Sequence, residues 1–310
     1  MIQKTLYTLK TLYRQDLKVD GYQFGGNEKT VCVVGAIRGN EYQQIYVCSR
    51  LIRALQTLEE HGLINGDHGI LVIPSVNHFS MNVGKRFWAT DNTDINRMFP
   101  GYDQGETTQR IADGLFSQVK DYQYGIQFAS FYLPGDFVPH IRLMDTGFQD
   151  EQMAAQFGLK YIIKRKPNPI DTTTLNYNWQ IWNTKAFSLY TSETDCIDET
   201  SAQEAVSAVL RFLEKQGVVN CTRHSGYISD VVREETMVPI IAQAGGIYHR
   251  LCHPGDLVRK GGLMAQVIDP YTGEIVLNIE APIDGTVFFA HKAPLIMGHT
   301  VAFRIIEDRY

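Results

Sequence analysis

The sequence has few of the features that mark secreted, membrane-spanning or nucleic-acid-binding proteins. Its five cysteines are scattered through 310 residues, and none is paired as C-x-x-C. We therefore expect reduced thiols, with Cys32 and Cys48 on the predicted buried faces of a strand and a helix. No apolar run approaches the ~20 residues that a membrane helix needs, and the first residues lack the pattern of a secretory signal. These absences favour a cytoplasmic location and no membrane partner.

Positive charge is also scarce. The 29 Lys and Arg residues are outnumbered by 34 Asp and Glu, which gives a formal net charge of -5. No run rich in Lys or Arg offers a local exception, so we do not expect a nucleic-acid partner. An apolar content of 44% with 20% charged residues is typical of globular proteins. The length allows one large domain or two ordinary ones.

The residue pattern divides the chain near residue 220. Before that point, apolar runs typical of buried strands, such as residues 30–36, alternate with helical periodicity, as from Glu41 to about His61. This alternation predicts an α/β domain over residues 1–220, with a mainly parallel sheet flanked by helices. Residues 221–310 instead carry short β-like runs separated by glycines, which predict a small all-β domain.

Two segments of the first domain can be interpreted more closely. Residues 75–105 form a long polar stretch rich in Asn and Arg, and a loop of that length inside a compact domain is usually functional. Ser201 and Glu204 have the spacing of a capping box, which predicts that a helix begins there.

The segment 35–41, Gly-Ala-Ile-Arg-Gly-Asn-Glu, joins the first buried strand to the first helix. In α/β folds, ligands bind outside the carboxyl ends of strands, which is where this turn lies. The turn resembles the metal-binding turn G-x-x-H-G-N-E of zinc deacylases, with Arg38 at the histidine position. Four later segments continue the resemblance in order: residues 74–77, 84–86, 94–101 (D-[LI]-N-R-x-F-P-G) and 190–193.

On these residues the chain is similar to the succinylglutamate desuccinylase/aspartoacylase family, relatives of zinc carboxypeptidases. The resemblance implies a zinc-carboxypeptidase-like fold and hydrolysis of an N-acyl amino acid or another small carboxylate-bearing substrate, with zinc as the cofactor. In that scheme Glu193 is the general acid/base, Arg86 polarises the scissile carbonyl, and Glu41 is a metal ligand. Asn96 and Arg97 bind the substrate's α-carboxylate.

The Asn96-Arg97 pair is chemically suited to that role by itself. A planar guanidinium beside an amide offers several donors, which can grip a carboxylate at both oxygens. In an alternative interpretation, the arginines of this loop pair with Asp91, Asp94 or Asp103 and fix the loop.

The metal positions fit their implied role poorly, because Arg38 and Gln127 occupy the places of the two ligand histidines. Arginine has no lone pair to give, and a glutamine oxygen suits zinc poorly. Catalytic zinc sites normally use three protein ligands, and only Glu41 is left. One alternative is a rebuilt site that uses His78 or His140. Another is that Arg38 pairs with Glu41 in place of the ion and helps to bind the ligand. The protein would then be non-catalytic and would bind a small carboxylate as a sensor or regulatory module.

Two further features have open interpretations. Tyr177, Trp179 and Trp182 form an aromatic cluster that either lines a pocket or packs as a helix face. The C-terminal segment resembles a biotinyl/lipoyl-like domain, but Glu274 stands where the carrier lysine would be. We therefore expect this domain to have a packing, lid or oligomerisation role, and a homo-oligomer is one possible assembly.

Overall fold

The computed structural model describes residues 1–10, 15–222 and 224–308, and these form two compact units. The first unit comprises residues 1–130 and 139–230, and the second comprises residues 131–138 and 231–310. This division differs from the predicted boundary at residue 220 in two respects. The first unit continues to residue 230, and a short segment from within it, residues 131–138, belongs to the second unit because its strand pairs with a strand there.

The first unit is built on a nine-stranded, mostly parallel sheet flanked by helices, which confirms the predicted fold class. Numbered along the chain, the strands of this sheet are β1 (Ile2–Leu9), β2 (Leu17–Gly25), β3 (Glu28–Ala36), β4 (His68–Ser75), β5 (Tyr124–Ala129), β7 (His140–Met144), β8 (Tyr161–Arg165), β9 (Lys185–Tyr190) and β10 (Asp230–Arg233). Of β10 only Asp230 belongs to the first unit, and β6 (Gly135–Phe137) is a strand of the second unit. The spatial order is β1-β2-β4-β3-β5-β9-β7-β8-β10. Strands β4, β3, β5 and β9 are mutually parallel, so their carboxyl ends meet at one edge of the sheet.

The helices cover both faces of this sheet. They are α1 (Tyr42–Glu60), α2 (His78–Asn82), α3 (Thr107–Val119), α4 (Glu151–Ala155), α5 (Leu175–Ile181) and α6 (Glu199–Lys215), with 3-10 turns at Ile95–Arg97 and Pro169–Thr173. Apolar residues of α1 and α6 pack into one core cluster, whereas α3 and α5 contribute to a second. Helices α1, α3 and α6 bury residues three and four apart, the spacing that brings side chains onto one face.

The predicted core thiols are confirmed. Cys32 and Cys48 are fully buried, and this burial raises the pKa of both thiols. None of the described cysteines forms a disulfide. Trp179 is likewise buried, as a packed helix face requires, whereas Trp182 is 44% exposed.

The predicted capping box at Ser201 is wrong. Helix α6 begins at Glu199, and its cap is Asp198, whose carboxylate accepts hydrogen bonds from the backbone N–H of Thr200 and Ser201. A carboxylate at this position also interacts favourably with the helix dipole. The polar stretch 75–105 is not a continuous loop either, because it contains α2 and the turn Ile95–Arg97.

The second unit is all-β, as predicted. One of its sheets has the order β11-β18-β16-β13, with β6 paired to β16, and the other has the order β15-β14-β12-β17. Its strands are β6 (Gly135–Phe137), β11 (Val238–Ile241), β12 (Gly246–Arg250), β13 (Leu257–Val258), β14 (Leu263–Ile268), β15 (Ile275–Glu280), β16 (Gly285–His291), β17 (Leu295–Ile296) and β18 (Val301–Glu307), with a 3-10 turn at Glu234–Thr236. Glu274, at the expected place of a carrier lysine, is exposed in the connection between β14 and β15. Among the described residues of the whole chain, no helix is long and apolar enough to cross a membrane.

Gly39 provides a test of how tightly the turn after β3 is packed. A β-carbon added at Gly39 would lie 2.2 Å from the carbonyl oxygen of Lys85 and 2.7 Å from the backbone nitrogen of Met81. We therefore expect Gly39→Ala to lower the free energy of unfolding by about 1–3 kcal/mol, as overpacking does. Gly66, which has nothing within 4 Å of the added carbon, is the control. Gly66→Ala should stay within about 0.5 kcal/mol in urea denaturation, and equal losses at both positions would contradict the tight packing at Gly39.

Candidate functional site

Glu41 holds together the turn that follows β3. Its side chain is almost fully buried, and Oε2 accepts hydrogen bonds from the backbone N–H of Ile37 at 2.8 Å and of Arg38 at 2.9 Å. The other oxygen, Oε1, accepts from Nη1 of Arg38 at 3.1 Å and from the hydroxyl of Ser130. Both carboxylate oxygens are thus engaged inside the protein.

Arg38 lies between two carboxylates. Its side chain is 4% exposed, and Nη1 approaches Glu41 while Nη2 lies 2.9 Å from Oδ2 of Asp94. Nε lies 3.1 Å from each oxygen of Asp94, which makes the second contact fork-like. A buried guanidinium requires such pairing, since an isolated buried charge is very costly. The pairing of Arg38 with Glu41 that the sequence predicted is confirmed, and Asp94 is its second partner.

Arg86 joins the same cluster. Its Nη1 donates to Oδ1 of Asn40 at 3.1 Å, and its Nη2 donates to the Ser130 hydroxyl at 3.3 Å. Its carbonyl oxygen accepts the N–H of Gly39 at 2.8 Å, which ties the segment 84–86 to the turn. We refer to Arg38, Glu41, Arg86, Asp94 and Ser130 as the Arg38 network.

Sequence reasoning did not identify Ser130 as a member of this site. It follows β5 directly, and β5 lies beside β3 in parallel. The signal available was its position, because residues just beyond neighbouring parallel strands reach the same edge of the sheet.

Asn96 and Arg97 lie next to this network. Asp94 accepts the backbone N–H of Asn96 at 3.0 Å, and Oδ1 of Asn96 accepts the N–H of Leu175, the first residue of α5, at 3.1 Å. Nη1 of Arg97 donates to the carbonyl oxygen of Asn96 at 3.0 Å. Asn96 therefore connects the Arg38 network to α5. Asp94 of this loop does pair with an arginine, but that arginine is Arg38 from the turn after β3.

Glu193 is brought to the same edge by the loop after β9. The backbone N–H of Gln43, near the start of α1, donates to the carbonyl oxygen of Thr194 at 3.1 Å. The Gln43 side chain also donates to the Asp198 carbonyl at 2.9 Å and accepts the Asp198 N–H at 3.0 Å. These bonds place the Glu193 loop beside the turn that contains Glu41.

Glu193 also takes part in a small group of metal-ligand types. Ligand atoms of Glu193, Asp195 and Cys196 lie within 4.8 Å of one another, with Asp195 and Cys196 exposed. Neither of the two histidines considered for a rebuilt site belongs to this group among the described residues. His140 is buried and stacks on Tyr190 with ring centroids 4.8 Å apart. His78 borders a cavity of about 700 Å³ together with Asp16 and Asp20.

The family is zinc-dependent in general, but the residues at the two histidine positions and at Glu41 do not fit a zinc ion of that type. Both oxygens of Glu41 are committed to internal hydrogen bonds. The guanidinium of Arg38 contacts Oε1 directly, so a dication at that oxygen would face a fixed positive charge. Gln127, at the second histidine position, is 4% exposed on β5.

The chain is similar to known proteins in sequence and in fold. The family model for the Succinylglutamate desuccinylase/Aspartoacylase catalytic domain matches residues 27–128. The N-alpha-acetyl-L-2,4-diaminobutyric acid deacetylase of Halomonas elongata is 29% identical over 94 residues, which are 30% of this chain and only 25% of that protein.

The solved structures that resemble the chain cover nearly all of it. The product-bound Ectoine utilization protein EutE (DoeB) from Ruegeria pomeroyi aligns with a TM-score of 0.80 and 17% identity, over 98% of this chain and 94% of that one. A succinylglutamatedesuccinylase/aspartoacylase from Rhodobacter sphaeroides gives a TM-score of 0.80 and 17% identity, over 99% and 96% of the two chains. At this identity the likeness establishes the fold alone.

The fold is that of solved structures from the succinylglutamate desuccinylase/aspartoacylase family. Residues 27–128 match the model of that family's catalytic domain. The matched residues, 27–128 of this chain, include the turn after β3, the segment 84–86 and the segment 94–101.

The Arg38 network makes a strong prediction for stability. Arg38→Met leaves the buried carboxylates of Glu41 and Asp94 without their cation, and breaking such a buried pair costs about 3–5 kcal/mol. We expect that loss in the free energy of unfolding, measured by urea denaturation. Arg53→Met, at an exposed position of α1, is the control and should change stability by about 0.5 kcal/mol or less. Similar small effects of both substitutions would contradict the importance of the buried pairs.

The pKa of Asp198, which anchors the Glu193 loop to α6, predicts how the stability of the protein depends on pH. Partial burial raises the pKa of this carboxyl, but hydrogen bonds from Ser201, Ser192 and Thr200 outweigh that effect and leave the pKa below its ordinary value. A lowered folded-state pKa stabilises the protein above the unfolded-state pKa, and this stabilisation is lost as the pH falls through the folded value. We expect Asp198→Asn to lower the melting temperature at pH 7 and the difference from wild type to shrink towards pH 3. A difference that stays constant with pH would show that the carboxylate charge is unimportant.

Proposed function

We propose that this protein binds a small carboxylate-bearing molecule as a non-catalytic member of its family, in a sensory or regulatory role. The observation that carries the proposal is the Arg38 network, in which the family's metal-binding glutamate is paired with an arginine. A second buried pair, with Asp94, holds that arginine in place.

The contacts of Arg38 also change the role that we assign to this residue. The sequence suggested that Arg38 binds the ligand, but its guanidinium is already paired with two carboxylates. We therefore assign the carboxylate clamp to Arg97 together with Asn96, and a second contact to Arg86. All three belong to segments tied together at the carboxyl edge of the parallel strands, where α/β proteins bind their ligands.

Hydrolysis by the family's route needs an activated water. Zinc lowers the pKa of its bound water to ~7, which supplies a nucleophile at neutral pH. A guanidinium does not ligate water in this way, so Glu193 as general base would act on ordinary water. The proposal of a binding role follows from this chemical difference.

An amidohydrolase is the second candidate function. The group formed by Glu193, Asp195 and Cys196 favours it, because carboxylates and a thiol are ligand types that can hold a metal ion. In that case Arg86 would polarise the scissile carbonyl. The name of the Halomonas elongata relative, a deacetylase of an N-acetylated amino acid, suggests N-acetyl amino acids as the substrates to test.

Metal content, hydrolysis and binding measured together distinguish these functions. For protein purified without chelators, we expect less than stoichiometric zinc by elemental analysis and no hydrolysis of N-acetyl amino acids, with or without added zinc. We expect N-acetylalanine to bind in isothermal titration calorimetry. Loss of a charge-assisted hydrogen bond in Arg97→Leu should weaken this binding about 10–100-fold, whereas Arg53→Leu should leave it unchanged.

Each contrary result has a defined meaning. Stoichiometric zinc together with hydrolysis would establish the amidohydrolase and overturn the non-catalytic proposal. Absence of binding to every N-acetyl amino acid and simple carboxylate would overturn the carboxylate site itself.

A further inference from the structure

Helix α5 covers a polar area of the sheet close to the Arg38 network. A β-carbon at Gly125 of β5 would lie 2.7 Å from the ring of Trp179, so α5 packs on the side of the sheet that Gly125 faces. Gln127 faces the same side, since residues two apart on a strand share a face. It is in register with Ser188 of β9, which is in register with Arg142 of β7. Three polar side chains therefore lie side by side, each 4–5% exposed.

The helix faces this area with two amide side chains. Asn176 and Gln180 lie one turn apart on α5 and share a face. Both are 1% exposed. Oε1 of Gln180 accepts a hydrogen bond from the hydroxyl of Thr146, just beyond β7, at 2.9 Å. This bond orients the shared face of α5 towards β7.

Three polar atoms on this helix face have no hydrogen-bond partner among the described residues. They are Oδ1 and Nδ2 of Asn176 and Nε2 of Gln180. A buried polar group without a partner costs about 1–3 kcal/mol, and native proteins contain only a few of them. Asn178, on the same helix, shows the usual outcome, because its Nδ2 donates to the carbonyl oxygens of Thr172 and Thr174. The unsatisfied amide of Asn176 therefore indicates a hydrogen-bonding site that a ligand completes.

Asn176 is also adjacent to the proposed carboxylate clamp. The residue before it, Leu175, donates its N–H to Oδ1 of Asn96 at 3.1 Å. The start of α5 is thereby fixed next to Asn96 and Arg97, and Asn176 is the first residue of α5 whose side chain has unsatisfied atoms.

We propose that Asn176 is a specificity-determining residue that binds a neutral amide group of the ligand, while Asn96 and Arg97 hold its carboxylate. This inference rests on the proposed binding function. The ligand class it defines is an N-acyl amino acid whose side chain ends in a carboxamide rather than in a second carboxylate.

The chemistry of hydrogen bonding separates these two classes. Asn176 offers one unsatisfied acceptor and one unsatisfied donor. A carboxamide has both a donor and an acceptor and can satisfy both atoms. A carboxylate only accepts, so it would leave Oδ1 of Asn176 without a partner and add the repulsion between two oxygens.

The test compares isosteric ligands on the wild-type protein and on Asn176→Leu. Titration calorimetry gives the dissociation constants of N-acetylasparagine and N-acetylaspartate, and of N-acetylglutamine and N-acetylglutamate, with N-acetylalanine as the baseline. We expect the wild-type protein to prefer the amide in at least one pair by about tenfold, as two neutral hydrogen bonds allow. Asn176→Leu should abolish the preference and should keep or raise the melting temperature without ligand.

The outcomes separate this inference from the proposed function. If N-acetylalanine binds but neither pair shows an amide preference, or if the preference survives in Asn176→Leu, the role of Asn176 is overturned while the carboxylate site stands. A crystal structure with bound N-acetylasparagine in which only water contacts Asn176 would also overturn it. If no carboxylate binds at all, the proposed function itself fails. Asn176→Asp is a second variant. If it also loses the ligand preference while its melting temperature is unchanged, the result would support recognition through the amide group rather than an effect of packing.

Discussion

The structure around the carboxyl edge of the sheet depends on the pairing of buried charges at Arg38. Its guanidinium binds Glu41 on one side and Asp94 on the other, with almost no exposure to solvent. Three separate parts of the chain converge on these charges: the turn after β3, the segment that begins at Asp94, and Ser130 at the end of β5. Since none of these charges is stable alone in a buried environment, each part holds the others in place.

The same pairing is the basis of the proposed non-catalytic role. In a metal site, the cation gathers ligands from different strands and holds their loops together. Here a guanidinium gathers two carboxylates and a hydroxyl with the geometry of its planar fork. A guanidinium can hold loops together in this way, but it does not activate water as a metal ion does. The proposed binding role rests on that difference.

Asn96 connects the Arg38 network to α5, which carries the proposed ligand contact. Asp94 holds its backbone and Leu175 donates to its side chain, so the start of α5 is fixed relative to the Arg38 network. The buried amides of Asn176 and Gln180 then lie over polar residues of the sheet rather than over the apolar core. A packed interior normally excludes unsatisfied groups of this kind, and their presence here is the basis of the proposed ligand contact at Asn176.

Much of this protein was determined by local sequence pattern. The alternation of apolar runs and helical periodicity predicted the α/β domain, its mainly parallel sheet and the all-β second unit, because burial on one face imposes these periods. The turn 35–41 and the segment 94–101 carried the resemblance to the family, and the pairing of Arg38 with Glu41 was one of the alternatives that the turn suggested. Only the tertiary structure decided the partners that are distant in the chain. Strand order and helix packing, which no local pattern encodes, decide the roles of Asp94, Ser130 and Asn176. Asp198 rather than Ser201 caps α6 for a related reason, since bonds from Gln43, far away in sequence, hold that loop in place.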